Sequence, residues 1–558
     1  MLKTKIISSL DKCFLDNSFD EFFEIEKINI YRNTDASFQL LPFNEESSDV
    51  ACNYYTVKVE GELSHLATIR CVENIPNYIP FSATADIAAE RDPGCIRTTP
   101  GLYPDVLVPI SSSGRFAVVN QQLRAIWIDI KNDGTIDPGE HTVKVTLSAV
   151  DGSLAAENEI IINVIDAFLP QQETKVTQWF YADCIADYYD VKVWSKKHFD
   201  ICRKFIKTAV DNGINMILVP VFTPPLDTAI GGERTTTQLV KIKIIDGKYE
   251  FNFELVDKWI DMLLECGVKY LEISHLFTQW GAYHAPKIIA NVNGRNKKIF
   301  GWETDASSLE YVTFLNSFLK DFTSHLEKRG LKENVYFHIS DEPDTSHIEQ
   351  YKLNKKNLED VLKGWKILDA LSHVEFYKQG LCEIPVPISS SIDDFLKEDI
   401  KERWIYYCCV PFTRYSNRFI GTHSARTRFM GVQMYKYGIE GFLHWGYNYY
   451  NNQFSYDHID PLLNSNAGYW GAGGDAVSVY PGRHGQPLES LRLIAFKQGL
   501  EDIRALKLCE KFYTKDEIVK KIENAYGENI IFSKCADDTI TMQKIRDVID
   551  EMIIEKTK

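Results

Sequence analysis

No two of the twelve cysteines are spaced CxxC, so the ligand spacing of a structural zinc site is missing and no metal is expected. No apolar run approaches the roughly 18 residues that a membrane span needs. Positive charge is scarce: 62 Lys and Arg stand against 78 Asp and Glu, a net charge of −16. That argues against nucleic acid or an anionic membrane as the main partner, because phosphate recognition needs clustered Lys and Arg. The stretch Met1–Asp11 carries two lysines but no apolar segment long enough for a secretory signal. With its irregularly spaced thiols, the chain is expected in a reduced, cytoplasmic setting. Cys408-Cys409 lie within an apolar run and read as core thiols.

Length and aromatic content are what the chain does have. Its 558 residues are too many for one simple core and point to two or three domains. The 28 Tyr, 31 Phe and 10 Trp include candidates for platforms under sugar rings, although aromatic richness is more often core.

Residues 1–170 carry short alternating segments separated by turns. Thr142–Ser148 follows the turn Asp137-Pro138-Gly139-Glu140, Glu159–Val164 follows Asp151-Gly152, and Tyr55–Val59 repeats the pattern. Strands so spaced, without a long helix between them, predict an N-terminal β-sandwich closed at Leu169-Pro170. Over 171–510 the pattern becomes strand, loop, helix. Strands are expected at 176–181, 214–219, 270–274, 335–340, 374–377, 404–409, 441–445 and 477–480. Helices are expected between them, including 351–371. About eight such units predict a (β/α)8 TIM-like barrel. A doubly wound open sheet is the alternative, but no Gly-rich phosphate loop follows the first strand. Residues 511–558 read as a helical extension whose stripe Ile545, Val548, Ile549, Met552 and Ile553 serves packing.

The stretch His338-Ile339-Ser340-Asp341-Glu342-Pro343 follows the apolar run Val335-Tyr336-Phe337. Asp341 and Glu342 thus fall at the C-terminal tip of strand four, the end at which such barrels do chemistry. Glycosidic bond cleavage needs an acid at the leaving oxygen and a group that attacks or stabilises the anomeric carbon. In a common layout the second carboxylate follows strand seven. The segment expected there, Gly441–Asn448, has none. Adjacent carboxylates suit another scheme, in which a 2-acetamido group of the substrate attacks. Asp341 would then orient the amide, and Glu342 would act as acid and then base. Glu383 or Asp475 as a conventional nucleophile is the alternative within the enzymes. A non-catalytic carbohydrate-binding barrel is the alternative outside them.

The chain resembles the family 123 glycoside hydrolases, β-N-acetylgalactosaminidases. The resemblance spans about 175–510 and rests on Gln178–Cys184, Phe222–Asp227, Glu272–Gly281, His338–Pro343, Phe442–Asn448, and Gly474-Asp475 leading to Tyr480-Pro481-Gly482. It implies a β-sandwich plus barrel. It also implies retaining, substrate-assisted removal of non-reducing terminal β-linked N-acetylgalactosamine from an oligosaccharide or glycoconjugate, with glycosphingolipid glycans as a natural source and no cofactor. Asp341 matches the acetamido-orienting Asp, and Glu342 the acid/base Glu. Gly473-Gly474-Asp475-Ala476 has Ala where another Gly is expected.

Other residues are expected around the sugar, each with a purely structural reading beside it. His275 either reaches the sugar or is a satisfied structural group. His338 is expected to support the acidic pair by a hydrogen bond. Trp280 and Trp445 are stacking floors or core, Tyr377 is a donor to the acetamido carbonyl, and Asn448 and Asp475 are partners of ring hydroxyls. The loop Thr223–Gln238, with Asp227, Glu233 and Arg234, is a charged lid or an internally paired loop. Asp183 and Asp187 are too few ligands for a cation site.

Overall fold

The computed structural model describes residues 2–45, 51–80 and 94–557. The alternating N-terminal segments form a sandwich of two five-stranded sheets. One runs Leu2–Ser8, Ala36–Asn44, Ile126–Ile130, Ala67–Asn77, Gly101–Pro109. The other runs Lys27–Tyr31, Leu154–Ile165, Gly139–Ala149, Cys52–Glu60, Arg115–Val119. Pairing is antiparallel except that Leu154–Ile165 also runs parallel to Lys27–Tyr31. The period of two does what it must. Val143, Val145 and Leu147 point into the core with Ile160, Ile162 and Val164 from the neighbouring strand, while the residues between them face outward.

The second half is a parallel eight-stranded barrel. Its strands are, in chain order, Lys175–Gln178, Met216–Val219, Tyr270–Ile273, Val335–Phe337, Lys366–Ala370, Ile384–Val386, Trp404–Tyr406 and Gly441–His444. The first strand pairs with the eighth, Lys175 opposite Gly441. Between the sixth and seventh, Tyr406 N–H donates to Pro387 O at 3.0 Å and Ser389 N–H to Tyr406 O at 2.8 Å, which closes the ring. Two antiparallel hairpins in the loops after strands two and three, 241–252 and 288–300, join into a small extra sheet.

Three expected elements lie elsewhere. The helix expected over 351–371 is Ile348–Leu362. It ends because Gly364 takes a left-handed turn (φ +77°), and Lys366–Ala370 follows as the fifth strand. The segment 374–377, expected as a strand, falls largely in the short helix Glu375–Lys378. Val479–Pro481 pairs with Pro487–Glu489 in a hairpin outside the barrel, so it is not the eighth strand. Trp404–Tyr406 is therefore strand seven, and Gly441–His444 is strand eight.

Helices Lys515–Tyr526 and Thr539–Thr557 cover Ser424–Tyr437 and Leu491–Cys509, burying Ile545, Ile549, Met552 and Ile553. Sandwich and barrel are joined by buried charge. Arg492 holds Asp105 with two bonds of 2.9 and 2.8 Å, and Tyr480 OH donates to the same carboxylate at 2.7 Å. Such a pair locks geometry more than it adds stability, because desolvation offsets its attraction.

Candidate active site

Strand four runs out of the barrel through buried His338, Ile339 and Ser340 before reaching Asp341 and Glu342. Two backbone bonds hold the tip: Trp280 N–H donates to Asp341 O at 2.9 Å, and Glu342 N–H to Ala370 O at 3.0 Å. Glu342 has φ +45° and Trp280 φ +56°. Left-handed backbone is costly for residues with a Cβ and persists where the surroundings fix it, characteristically at functional sites.

The two carboxylates open into a cleft of about 740 Å³, counting solvent at its mouth, a size that accommodates a sugar ring. Trp179, Trp280, Trp445, Trp470, Tyr449 and Phe454 give it aromatic walls. A third carboxylate, Asp227, enters the same cleft. It too has a left-handed backbone (φ +48°), and it is fastened from all sides. Its N–H donates to Gln279 Oε1 at 2.7 Å, its carbonyl accepts from Ser455 Oγ at 2.7 Å, and its carboxylate accepts from Tyr181 OH at 3.1 Å.

Burial raises the Asp341 carboxyl well above the usual range, and the negative neighbours Glu342 and Asp227 add to the effect. Glu342 is reached by solvent through the cleft but is otherwise walled by protein. That crowding raises it, while the Tyr406 and Trp280 side chains pull it back. Burial brings Asp227 to about 6. Three carboxylates in one cleft cannot all be charged cheaply, which favours the sharing of a proton among them.

A polar layer lies behind the pair inside the barrel, and the hydrogen bonds of His338 go to Glu272 and Asp369 in that layer and not, as expected, to the pair itself. His338 is fully buried, with Glu272 Oε1 at 2.6 Å from Nε2 and Asp369 Oδ1 at 3.2 Å from Nδ1. Burial works against its charge, but the two carboxylates outweigh it and push the imidazole up to about 9. Glu272 also accepts from Thr177 Oγ1 at 2.5 Å and Trp179 Nε1 at 2.8 Å, and Asp369 accepts from Tyr351 OH at 2.5 Å. The His338 charge favours the ionised form of Asp341.

His275 does not line the cleft. It is fully buried and stacks on His338 with centroids 4.2 Å apart and planes 20° from parallel. Together with Asp369 the two histidines bring potential ligand atoms within 4.8 Å of one another. The group does not fit a divalent ion, because stacked rings aim their in-plane lone pairs side by side and both His338 nitrogens already face carboxylates.

The other expected sugar contacts divide. Trp280 and Trp445 line the cleft. Asp475 lies behind Trp445, accepting from its Nε1 at 3.0 Å, and burial raises this carboxyl to about 7. Asn448 spends its amide on the backbone of Tyr181, accepting from its N–H at 2.9 Å and donating to its carbonyl at 3.0 Å. It fixes the wall and does not point into the cleft. Tyr377 sits on the short helix after strand five and donates to Asp399 O at 2.8 Å, away from the cleft. Glu383 pairs with Lys355 at 2.8 Å, also outside it. The charged groups of the loop 223–238 pair with its neighbours and not with one another: buried Arg234 holds Asp183 at 2.6 Å, and Glu233 pairs with Lys287 at 2.7 Å and Lys298 at 2.9 Å. Asp187 accepts from Thr235 at 2.9 Å.

Two cleft residues have roles of their own that the sequence leaves open. Tyr406 ends strand seven and donates to Glu342 Oε1 at 2.7 Å. It was legible as an apolar strand but one position too early in the count. Asp227 closes the motif Phe222–Asp227, yet nothing local says which way its carboxylate points.

Residues 179–509 match the glycoside hydrolase 123 catalytic domain. The chain belongs to glycoside hydrolase family 123. A family 123 glycoside hydrolase from Clostridium perfringens has the same architecture, with a TM-score of 0.73 at 17% identity over 100% of this chain and 98% of that chain. An endo-β-1,4-mannanase from Thermotoga petrophila is far less similar, with a TM-score of 0.34 at 12% identity over 61% of this chain and 78% of that one. No curated protein matches the chain. This family 123 member is thus a glycoside hydrolase built as a β-sandwich followed by a barrel. Among its described residues no helix is long and apolar enough to cross a membrane.

Proposed function

We propose that this hydrolase removes terminal β-linked N-acetylgalactosamine with retention, the substrate's own acetamido group acting as nucleophile. The observation that carries the reading is the pairing of Asp341 and Glu342 at the tip of strand four with Tyr406 at the tip of strand seven. A conventional retaining barrel enzyme needs a carboxylate facing its acid; here a phenol stands at that place. In the first step the acetamido oxygen bonds to the anomeric carbon as the glycosidic bond breaks. Glu342 gives its proton to the departing oxygen, and Asp341 accepts the amide N–H and stabilises the oxazolinium ion. In the second step Glu342 takes a proton from water, which opens the ring on the face the leaving group left. The raised Glu342 carboxyl suits an acid at neutral pH.

Trp445 and Trp280 offer faces for the sugar, and Asp227 offers an acceptor for ring hydroxyls. The Clostridium perfringens relative is described as hydrolysing glycolipid glycans; we carry that substrate class over as part of the proposal. A reducing, cytoplasmic setting belongs to it too, supported by twelve cysteines none of which forms a disulfide among the described residues. A second reading makes Asp227 the nucleophile, since it is a third carboxylate in the cleft. Turnover of an aryl β-N-acetylgalactosaminide, with the matching aryl β-galactoside inert, supports the first reading. Equal turnover of both substrates overturns it.

A further inference from the structure

Cys408 and Cys409 are adjacent in sequence, and both line the cleft. Their Sγ atoms are 3.8 Å apart. Two sulfurs bonded to one atom at about 2.3 Å each lie at or slightly within that distance of each other, so a small side-chain rotation lets one atom bridge them. The backbone fixes them there: Cys408 N–H donates to Val410 O at 2.9 Å, and Asn417 Nδ2 donates to Cys408 O at 2.9 Å. A disulfide is the poorer use of this pair. Consecutive Cα atoms stand about 3.8 Å apart, short of the roughly 4.4–6.8 Å that an unstrained bridge spans. No third metal ligand gathers on the two sulfurs among the described residues.

The structure assigns Cys408 and Cys409 as a vicinal dithiol site in the wall of the active cleft that captures singly substituted trivalent arsenicals, R–As, and thereby blocks it. Such a compound needs only two thiols, and an aryl R group finds the aromatic walls of Trp445, Trp470 and Phe454 beside it. With phenylarsine oxide two As–S bonds form, the As=O bond is lost, and both thiol protons leave on that oxygen as one water. Arsenic stays trivalent, so no oxidant or reductant takes part. The hydrogen bond with Cys409 and, after it, burial hold the Cys408 proton on. That slows reagents that need a thiolate but not a condensation that releases water. Capture depends on the cleft alone, and not on which sugar the enzyme cleaves.

The test is intact mass and peptide mapping of the full-length protein treated with phenylarsine oxide. One phenylarsenic per chain is expected. Cleavage after Arg403 and Arg414 places it on the segment 404–414, which holds both thiols and no other cysteine. Cys409→Ser is expected to lose it. Turnover is expected to fall with occupancy and to return with a dithiol such as dimercaptopropanol but not with a monothiol. An unmodified 404–414 segment, or an adduct that persists in Cys409→Ser, overturns the assignment. Peptide mapping of the wild type decides even if the variant does not fold. N-acetylgalactosamine is expected to slow the reaction; an adduct on 404–414 that the sugar does not slow upholds the dithiol site and counts against the sugar reading instead.

Discussion

Tyr406 donates its phenol to Glu342 Oε1 at 2.7 Å, across the barrel mouth from strand seven to strand four. The bond stabilises the ionised form of Glu342 and so opposes the upward push of its surroundings. Removing it in Tyr406→Phe raises the Glu342 carboxyl further. The basic limb of the rate profile, where the acid loses its proton, moves to higher pH. A hydrogen bond to a charged group is worth roughly 1.5–3 kcal/mol, so kcat/KM falls about tenfold or more. Profiles of wild type and variant on one substrate check both effects; a basic limb that stays in place contradicts this link.

Asp341 and Glu342 separate by leaving group. Glu342→Ala lowers turnover of poor leaving groups by about 10²–10⁴ and spares activated aryl glycosides, which need little acid help. Asp341→Ala depresses both, because attack by the acetamido group is needed with either kind of leaving group. A series of aryl glycosides of graded leaving-group pKa measures this; equal losses across the series in Glu342→Ala contradict its role as acid.

Asp227 joins binding to titration. Its negative charge raises Asp341, so Asp227→Asn lowers the Asp341 carboxyl and moves the acidic limb of the profile to lower pH. Loss of its acceptor raises KM for the sugar, with kcat/KM down roughly tenfold. An acidic limb that moves upward, or a KM that is unchanged, contradicts this reading.

The acidic pair was legible because a short apolar run ending in Asp-Glu-Pro needs no long-range information to be placed at a strand tip. The sandwich was legible for the same reason, since Val143, Val145 and Leu147 keep a strict period of two. Strands five and six were not. Lys366–Ala370 follows a helix after only a Gly364 turn and reads as its continuation, and Ile384–Val386 is three residues long with a proline at its centre. Missing them displaced every later strand in the count and left Tyr406 unnoticed. Asn448 and Tyr377 look like sugar donors by type. Only the folded chain reveals that their groups are spent on the carbonyls of Tyr181 and Asp399.

His338 makes stability depend on pH. Its folded value, about 9, exceeds the ordinary 6.5, so folding takes up a proton there. The contribution is complete below pH 6.5, shrinks as pH rises through 9, and is of order 3 kcal/mol. Denaturant titrations from pH 6 upward measure it against His338→Gln, in which this dependence is absent. Wild type and variant losing stability in parallel contradicts a charged His338.

The nucleophile is tested most directly by progressive fluorination of the acetyl group on an aryl β-N-acetylgalactosaminide, combined with mass analysis for a trapped glycosyl-enzyme. Fluorine drains electron density from the attacking oxygen. Substrate assistance therefore predicts that kcat/KM falls steeply with each fluorine and that no covalent adduct forms on Asp341, Glu342 or Asp227. A flat response to fluorination together with a sugar captured on Asp227 would contradict it and assign this cleft to the two-carboxylate mechanism.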